Sequence, residues 1–386
     1  MRFNGNKRVG LVLLAFVFVG GSGEVPVSTN TSDQQFPAIY DDVVVWQDHR
    51  KGNWDIYGYN FSTQEEFQIT TDLNDQGMPR IWGDTVIWID DRNGNPDIYG
   101  YNLLTGQEFQ ITADQNGQAF AEIHKEIVVW TDDRKGNYDI YGYNLLTGQE
   151  FQITADQNKQ GVPAVCGDIV VWQDDRNGNW DIYGYNLLTG QEFQITTDTY
   201  DQHFPTLSKD VVVWEDFRNG TPDIYGYNLL TGQEFQITTD PGNQEWPAIS
   251  NDMVVWIDSR NDNWDIYGYN LLTKKEVQIT ADESDQMWPA IYDNMVVWKD
   301  ERNGNDDIYG CNLSLRELFS LGFYAIPVIV IILSAATVLW IRRYKKKSEL
   351  ACPNCGKVIK KRWDICPYCG AGQKDDTRIY DDTNTS

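Results

Sequence analysis

The sequence predicts an all-β fold, a seven-bladed β-propeller with four antiparallel strands in each blade. Tryptophan recurs seven times at a spacing of 42 residues, within a motif that is clearest at residues 171–196, VWQDDRNGNWDIYGYNLLTGQEFQIT. A fixed period of this length indicates a stacked or circular repeat architecture, and about 40–45 residues is typical of a propeller blade. The recurring tryptophans are Trp46, Trp88, Trp130, Trp172, Trp214, Trp256 and Trp298.

Each repeat contains four short apolar or alternating runs, which in the first repeat are residues 37–40, 43–48, 55–61 and 66–70. The valine-rich second run is typical of a strand buried on both faces. The third run alternates with the period of a half-buried strand. No segment of the repeat shows a helical period, which argues against leucine-rich and helical repeats.

The turns sort the loops onto two faces of the predicted ring. Arg-Lys-Gly-Asn at 50–53 predicts a hairpin between the second and third strands. Strand direction places these hairpins, and the inter-blade Thr-Asp-x-x-Asp-Gln segments, on one side, which we call the hairpin face. The Leu-Leu-Thr-Gly-Gln turns between the third and fourth strands lie on the other side, the turn face, and their glycine suits a positive φ.

The fourth strand of the seventh blade is predicted to come from the N-terminus. Only six copies of the Gln-Ile-Thr strand follow a third strand, but residues 25–37 align with residues 67–79 at the 42-residue spacing. Residues 24–30 would then close a ring spanning 24–315. Pro26 suits this position because proline is tolerated on an edge strand. The alternative is a disordered linker.

The two ends of the chain predict a membrane topology. Residues 1–23 have the basic, apolar and small-residue regions of a signal peptide, with an uncleaved anchor as the alternative. Residues 318–341 carry no charge and are long enough to cross a bilayer, with a buried core helix as the alternative. The basic juxtamembrane segment 342–350 follows, so the C-terminus is predicted to be cytoplasmic and the propeller extracellular. We therefore expect a single-pass protein of the cell membrane.

The net charge of the chain changes sign across the predicted transmembrane segment. Residues 24–320 hold 17 Lys and Arg against 51 Asp and Glu, whereas residues 342–386 hold 11 against 6. An acidic field of this size argues against nucleic acid or anionic lipid as the ligand of the propeller. It suits cations, basic partners or solubility in saline surroundings.

Two Cys-x-x-Cys-Gly motifs predict a structural zinc site in the cytoplasmic segment. Four thiolates on two tight turns provide a closed tetrahedral site for Zn²⁺, and iron would use the same ligands. A pair of disulfides is disfavoured in a reducing compartment. The predicted ligands are Cys352, Cys355, Cys366 and Cys369.

Residues 351–371 resemble the short zinc ribbons of the rubredoxin-knuckle type. Because four cysteine ligands leave no open coordination position, the ribbon is expected to dock a protein partner rather than to catalyse a reaction. Its basic residues suit a solvated face or, alternatively, contact with nucleic acid or anionic lipid. The polar tail at 372–386 is predicted to be disordered.

The repeat resembles the propeller repeats of the TolB family, which also form the regulatory propellers of prolyl-oligopeptidase-type peptidases. The matching text is Pro-x-Ile, Asp-x-Arg-x-Gly-Asn-x-Asp-Ile-Tyr and Phe-Gln-Ile-Thr, over about 290 residues. The resemblance implies a binding platform rather than an active centre. This chain departs from the family where Tyr-Asp-Asp, Trp-Gly-Asp or Cys-Gly-Asp replaces the usual Ser-Pro-Asp-Gly turn. No α/β-hydrolase domain follows the propeller.

Catalytic motifs are not evident. His49, His124 and His203 occupy three different repeat positions, and no Gly-x-Ser-x-Gly elbow or P-loop is present. The sequence offers no convincing cluster of non-repeated polar residues at a channel mouth. Asp48, Arg50 and Asp55 recur in nearly every blade and predict an ion-pair and turn-capping set. Cys166 and Cys311 are expected to be structural buried thiols.

The hairpin face is the predicted ligand-binding face, since the inter-blade segments vary between copies while the scaffold is constant. Carboxylates there would suit Ca²⁺, with a solvated acidic rim as the alternative. Tryptophans beside the hairpins would suit stacking on sugars or a protein partner, with packing between blades as the alternative. The candidate residues are Asp72, Asp75, Asp198, Asp201, Asp282, Asp285, Trp54, Trp180 and Trp264.

These observations favour a non-enzymatic cell-surface protein whose propeller binds an envelope polymer, glycan or protein. A receptor-like linker that reports an external ligand to the partner of the ribbon is one alternative. A propeller hydrolase or lyase is another.

Overall fold

The computed structural model describes residues 23–314, 349–351, 354–356, 358–360 and 369. Within 23–314, 28 strands form seven four-stranded antiparallel sheets, which confirms the predicted seven-bladed propeller. The first strand of each blade contacts the first strands of the two neighbouring blades, and the first and last blades are also in contact. The ring is therefore closed around a central channel.

The first strands line the channel and run from the hairpin face to the turn face. They are Gln34–Tyr40 (β2), Gln76–Trp82 (β6), Gln118–His124 (β10), Gln160–Cys166 (β14), Gln202–Ser208 (β18), Gln244–Ser250 (β22) and Gln286–Tyr292 (β26). Each begins about three residues before the apolar run that predicts it. A bulge, seen as a register shift between Gln35 and Ala38 in the first blade, separates the two parts of the strand.

The second and third strands form the core. The second strands are Val43–Asp48 (β3), Thr85–Asp90 (β7), Ile127–Asp132 (β11), Ile169–Asp174 (β15), Val211–Asp216 (β19), Met253–Asp258 (β23) and Met295–Asp300 (β27). The third strands are Asp55–Asn60 (β4), Asp97–Asn102 (β8), Asp139–Asn144 (β12), Asp181–Asn186 (β16), Asp223–Asn228 (β20), Asp265–Asn270 (β24) and Asp307–Asn312 (β28). Val44, Val45 and Trp46 are fully buried, and each apolar cluster joins two adjacent blades. Burial on both faces explains the valine-rich run.

The fourth strands form the outer edges of the blades. In blades one to six they are Glu65–Gln68 (β5), Gln107–Gln110 (β9), Gln149–Gln152 (β13), Gln191–Gln194 (β17), Gln233–Gln236 (β21) and Lys275–Gln278 (β25). In blade seven the edge is Glu24–Ser28 (β1), which pairs antiparallel with β28. The predicted closure by the N-terminal strand is confirmed, and Pro26 lies exposed on that outer edge.

The C-terminal segment contains one described hairpin. Glu349–Ala351 (β29) pairs antiparallel with Val358–Lys360 (β30). In the part of the chain that the structure describes, no helix is both long and apolar enough to cross a membrane. The predicted transmembrane segment 318–341, residues 1–22 of the predicted signal peptide and the tail 372–386 lie outside the described residues.

Candidate functional site

The structure brings the predicted hairpin-face residues together in pairs. Asp75, Asp201 and Asp285 accept a hydrogen bond from the backbone N–H of Trp54, Trp180 and Trp264, at 2.9, 3.0 and 2.9 Å. The other three aspartates accept the N–H two residues further along their own loops, each at 3.0 Å; they are Asp72, Asp198 and Asp282. These hydrogen bonds hold the pKa of Asp72 below its usual value, the largest contribution coming from the backbone of Asn74. The six carboxylates thus order the loops.

The predicted tryptophans are half-buried; Trp180 and Trp264 pack between blades, whereas Trp54 packs against a residue of its own blade. Trp54 lies against His49, with ring centroids 4.9 Å apart, and Trp180 against His203 at 5.8 Å. Trp264 packs against the apolar cluster between blades six and seven. Within the described residues no group of three or more His, Cys, Asp or Glu side chains could hold a metal ion. The loop hydrogen bonds are the role that the structure shows for this set.

The recurrent Asp–Arg pair is a structural network in every blade. Arg50 makes two bonds to Asp48, at 2.9 Å from Nε and 2.6 Å from Nη2, and lies over the ring of Tyr57 at 4.1 Å. Asp55 lies opposite Asp48 in the β3–β4 ladder, but its carboxylate accepts from Thr70 Oγ1 at 3.3 Å and from Gln68 Nε2 at 3.1 Å rather than from Arg50. The predicted ion pair is confirmed, while Asp55 belongs to a second network that fixes the end of the fourth strand.

A ring of apolar side chains surrounds the channel at the hairpin face; we call it the apolar collar. Each member is the bulge residue of a first strand and has φ between 49° and 53°, in the left-handed region. For bulky residues this conformation is strained and is maintained by surrounding contacts. The collar consists of Phe36, Met78, Phe120, Val162, Phe204, Trp246 and Trp288.

Contacts between blades hold the collar in place. Phe36 stacks on Trp288 with ring centroids 4.1 Å apart, and Phe204 lies 4.6 Å from Trp246. In four blades the N–H of the collar residue donates to a side chain of the preceding blade. Met78 donates to Gln47 at 3.0 Å, Val162 to Thr131 at 3.1 Å, Phe204 to Gln173 at 3.1 Å and Trp246 to Glu215 at 2.7 Å. Met78 and Phe120 remain 37% and 38% exposed.

The middle of the channel is asymmetric. Two residues after the collar, five blades carry a small side chain, whereas blades two and three carry Arg80 and Glu122. Arg80 Nε lies 2.5 Å from Glu122 Oε1, and Nη1 donates to the Pro79 carbonyl at 3.0 Å. A cavity of about 270 Å³ is lined by this pair together with residues of all seven blades. The small residues are Ala38, Ala164, Thr206, Ala248 and Ala290.

The other end of the channel carries a ring of non-repeated residues, the turn-face ring. The last residue of each first strand contributes one member, and together they border a second cavity of about 320 Å³. The structure therefore places non-repeated polar side chains together at a channel mouth, where the sequence offered no convincing cluster. The ring is Tyr40, Trp82, His124, Cys166, Ser208, Ser250 and Tyr292. Because these residues share one repeat position, the signal was the variation at that position among the seven copies.

Part of this ring is explained by contacts between blades. Ser208 Oγ accepts the N–H of Asn251 at 3.0 Å, and His124 Nδ1 accepts the N–H of Gly167 at 3.0 Å. Burial lowers the pKa of His124, mainly through desolvation of the charged form, so its imidazole is neutral at pH 7. With Nδ1 accepting, its one proton is on Nε2.

His124 Nε2 lies 3.8 Å from Cys166 Sγ. Since Nε2 carries the proton, it faces the sulfur as a donor and cannot accept the thiol proton as a general base would. Cys166 is half-buried in the channel rather than fully buried, contrary to expectation, because it ends a strand at the mouth. Cys311 is fully buried, as expected.

The predicted zinc ligands are described in part. Cys355 and Cys369 are exposed, whereas Cys352 and Cys366 lie outside the described residues. Asn354 Nδ2, in the first motif, lies 3.7 Å from Cys369 Sγ, in the second. This contact brings the two knuckles together, as a shared metal requires, and a donor to a ligand sulfur suits thiolate ligation. The residues present fit a Zn²⁺ site.

Comparisons with known proteins find matches to both the propeller and the C-terminal segment. A zinc-ribbon domain family matches residues 348–373, and a search of curated proteins finds no match to this chain. Among solved structures, oligogalacturonate lyase from Vibrio parahaemolyticus is 14% identical, with a TM-score of 0.60 over 74% of this chain and 92% of that chain. A puromycin-hydrolyzing peptidase of Mycobacterium tuberculosis is 10% identical, with a TM-score of 0.61 over 74% of this chain and 52% of that chain.

TolB from Acinetobacter baumannii is also a structural neighbour, 16% identical, with a TM-score of 0.49 over 74% of this chain and 77% of that chain. The chain is a seven-bladed propeller with a C-terminal segment that matches a zinc ribbon. At these identities the structural similarity establishes the fold alone, because one fold hosts many unrelated functions.

Proposed function

We propose that this protein is a non-enzymatic, single-pass cell-surface protein whose extracellular propeller binds an envelope polymer, glycan or protein at the hairpin face. The cytoplasmic zinc ribbon docks a protein partner. The apolar collar is the observation that carries the proposal. It places aromatic side chains, including Trp246 and Trp288, at an open channel mouth, whereas the seven recurrent tryptophans of the repeat are fully buried.

The surroundings of the collar support a binding role. Contiguous apolar groups at a surface rimmed by polar residues mark interaction sites. The rim here is acidic, with the aspartates of the inter-blade loops, so a basic or neutral ligand is favoured over an anionic one. The stacked pair Phe36–Trp288 and the tilted pair Phe204–Trp246 hold these aromatic rings in place, which lowers the entropy lost on binding.

The polar side chains of the propeller that could act in catalysis make structural contacts instead, and this supports a non-enzymatic function. Repeated carboxylates such as Asp48 are committed to ion pairs with arginine, and those of the hairpin face order loops. His124 presents a protonated Nε2 to Cys166 Sγ, so its imidazole is not placed to accept the proton of that thiol. In the ribbon, four thiolates would fill the coordination sphere of Zn²⁺, which leaves docking as its use.

The proposal is tested with the purified propeller, residues 23–314, because all seven blades are complete within that range. Immobilised propeller is exposed to the organism's own envelope extract, first with Ca²⁺ and then with EDTA. We expect specific retention of a polymer or protein that is reduced at least tenfold by Trp288→Ala. Loss of retention in EDTA would add a metal requirement.

A matched control is available on the opposite face. Leu188 is 77% exposed in a turn-face loop, so Leu188→Ala removes a comparable exposed apolar group without touching the collar. Retention that is unaffected by Trp288→Ala but lost in Leu188→Ala would place binding on the turn face. No retention by the wild type in either buffer would contradict the binding function.

A further inference from the structure

The channel contains one charged pair whose hydrogen-bonding capacity is only partly used. Arg80 and Glu122 are each about one-third exposed and joined through Nε and Oε1. Among the described residues, no hydrogen bond involves Arg80 Nη2 or Glu122 Oε2. A donor and an acceptor therefore lie side by side on the channel wall, and their formal charges cancel.

The opposite wall of the channel is aromatic. In a seven-membered ring the boundary between blades two and three lies across from blade six, which contributes Trp246 and Ala248. The indole of Trp246 is positioned by its contact with Phe204 and by the backbone bond to Glu215. Both walls border the same cavity, and alanines at the level of the pair leave room between them.

We propose that the channel holds the terminal residue of a neutral glycan, one pyranose ring between the Arg80–Glu122 pair and Trp246. One sugar hydroxyl accepts from Arg80 Nη2 and an adjacent hydroxyl donates to Glu122 Oε2. The C–H face of the ring packs on Trp246. This inference rests on the proposed binding function and specifies its ligand.

The size and charge of the cavity favour this ligand over others. Its volume of about 270 Å³ is below the roughly 300 Å³ at which pockets for drug-sized ligands begin, so one ring fits and a chain must leave through the collar. Glu122 already neutralises Arg80, so the site does not call for a carboxylate on the ligand. Hydroxyl groups suit it because each can both donate and accept.

The test measures monosaccharide binding to the full-length protein by calorimetry and saturation-transfer NMR. The probes are methyl glycosides of glucose, galactose, mannose and N-acetylglucosamine, with galacturonic acid (an anion) and free leucine (a zwitterion) as competitors that carry ionised groups. We expect at least one neutral glycoside to bind. Arg80→Met combined with Glu122→Met should weaken that binding more than tenfold, as should Trp246→Ala.

Removing both members of the pair leaves no unpaired charge, so the double variant is expected to fold. The matched control is Thr206→Ala, which changes the same channel level to the residue that four other blades already carry. It should bind as the wild type does. Circular dichroism melting curves check that every variant is folded.

Three results would overturn the inference. They are the absence of binding by any neutral glycoside, equal binding to the folded double variant, and tighter binding of galacturonic acid or leucine than of every neutral glycoside. Failure here is separable from failure of the proposed function. If the propeller retains an envelope component that Trp288→Ala releases while the double variant still holds it, binding at the face stands and the channel site is wrong.

Discussion

Arg302 and Glu24 join the two ends of the ring, with Nη2 and Oε2 2.9 Å apart. In blades one to six the equivalent arginine pairs with a glutamate of the fourth strand of its own blade, as Arg176 does with Glu192 at 2.6 Å. In blade seven the partner is supplied by the opposite end of the propeller. The junction between the two ends of the ring, which we call the seam, therefore repeats the arginine–glutamate contact that each of the other six blades makes.

The first prediction concerns this seam. Glu24→Ala should lower the free energy of unfolding by about 1–3 kcal/mol, since it removes a charged hydrogen-bonding partner that is 7% exposed. Glu192→Ala is the control. It removes the same contact where the chain is continuous and the glutamate is 35% exposed, so the expected cost is about 0.2–1 kcal/mol. Denaturant unfolding measures both.

Deletion of residues 24–30 is the stronger form of this prediction. It removes the whole outer strand of blade seven, including Val27, which is buried in the cluster between blades seven and one. We expect a marked loss of stability. An unchanged melting curve would show that the ring does not need the N-terminal strand.

The second prediction concerns Glu215, which is 3% exposed beside the channel mouth. Burial raises the pKa of its carboxyl from 4.5 to about 8. The folded state then binds a proton that the unfolded state has lost. The stability associated with this group is full below pH 4.5 and is lost as pH rises towards 8, at up to about 1.4 kcal/mol per pH unit.

Glu215→Gln should remove this pH dependence without disturbing the collar. Gln47 and Gln173 occupy the same position in blades one and four, and each accepts the N–H of a collar residue as Glu215 does. Unfolding is measured from pH 5 to 8.5. The variant should gain stability over the wild type as pH rises. A constant difference across this range would contradict the raised pKa.

The repeat made most of the fold predictable. Because the motif occurs seven times, a strand that is ambiguous in one copy is clear in the others. The number of blades and the strand order followed from the 42-residue period, and the seam followed from the alignment of residues 25–37 with residues 67–79. Strand ends were less accurate. The bulge at Phe36 interrupts the alternation that reveals a strand, and Pro37 conceals that the ladder continues back to Gln34.

The candidate site was predicted less well because its signals lie in differences between copies. Trp54 and Asp75 were predicted to bind a ligand because of their residue types, yet the backbone N–H of Trp54 donates to the Asp75 carboxylate within the loops. The collar and the turn-face ring each occupy one repeat position, where side chains change from blade to blade. Sequence alone could show that variation, but the direction in which each side chain points required the bulge geometry.

The third prediction tests access to the turn-face end of the channel. Cys166 is half-buried beside the cavity, whereas Cys311 is fully buried in the blade core. Iodoacetamide should therefore modify Cys166 in the folded propeller, residues 23–314, and reach Cys311 only after unfolding. Mass spectrometry of tryptic peptides measures both sites, and Cys166→Ser provides the control. Equal protection of the two cysteines would show that the turn-face mouth is closed.

The fourth prediction concerns the ribbon. Cys352→Ser should release Zn²⁺ from the full-length protein, because a structural site of four thiolates loses much of its affinity when one ligand is removed. The contact of Asn354 with Cys369 should be lost with it, since the metal is what would hold the two knuckles together. Metal content is measured by plasma mass spectrometry after desalting.

Cys166→Ser is the matched control, because it removes a cysteine of the propeller and should leave the metal content at one per chain. Iron in place of zinc would show the same dependence on Cys352 but a visible absorption band. Full retention of metal by Cys352→Ser would contradict a four-thiolate site. Since the unloaded ribbon is too small to bury an adequate core, metal loss should also abolish its protection from protease while the propeller stays intact.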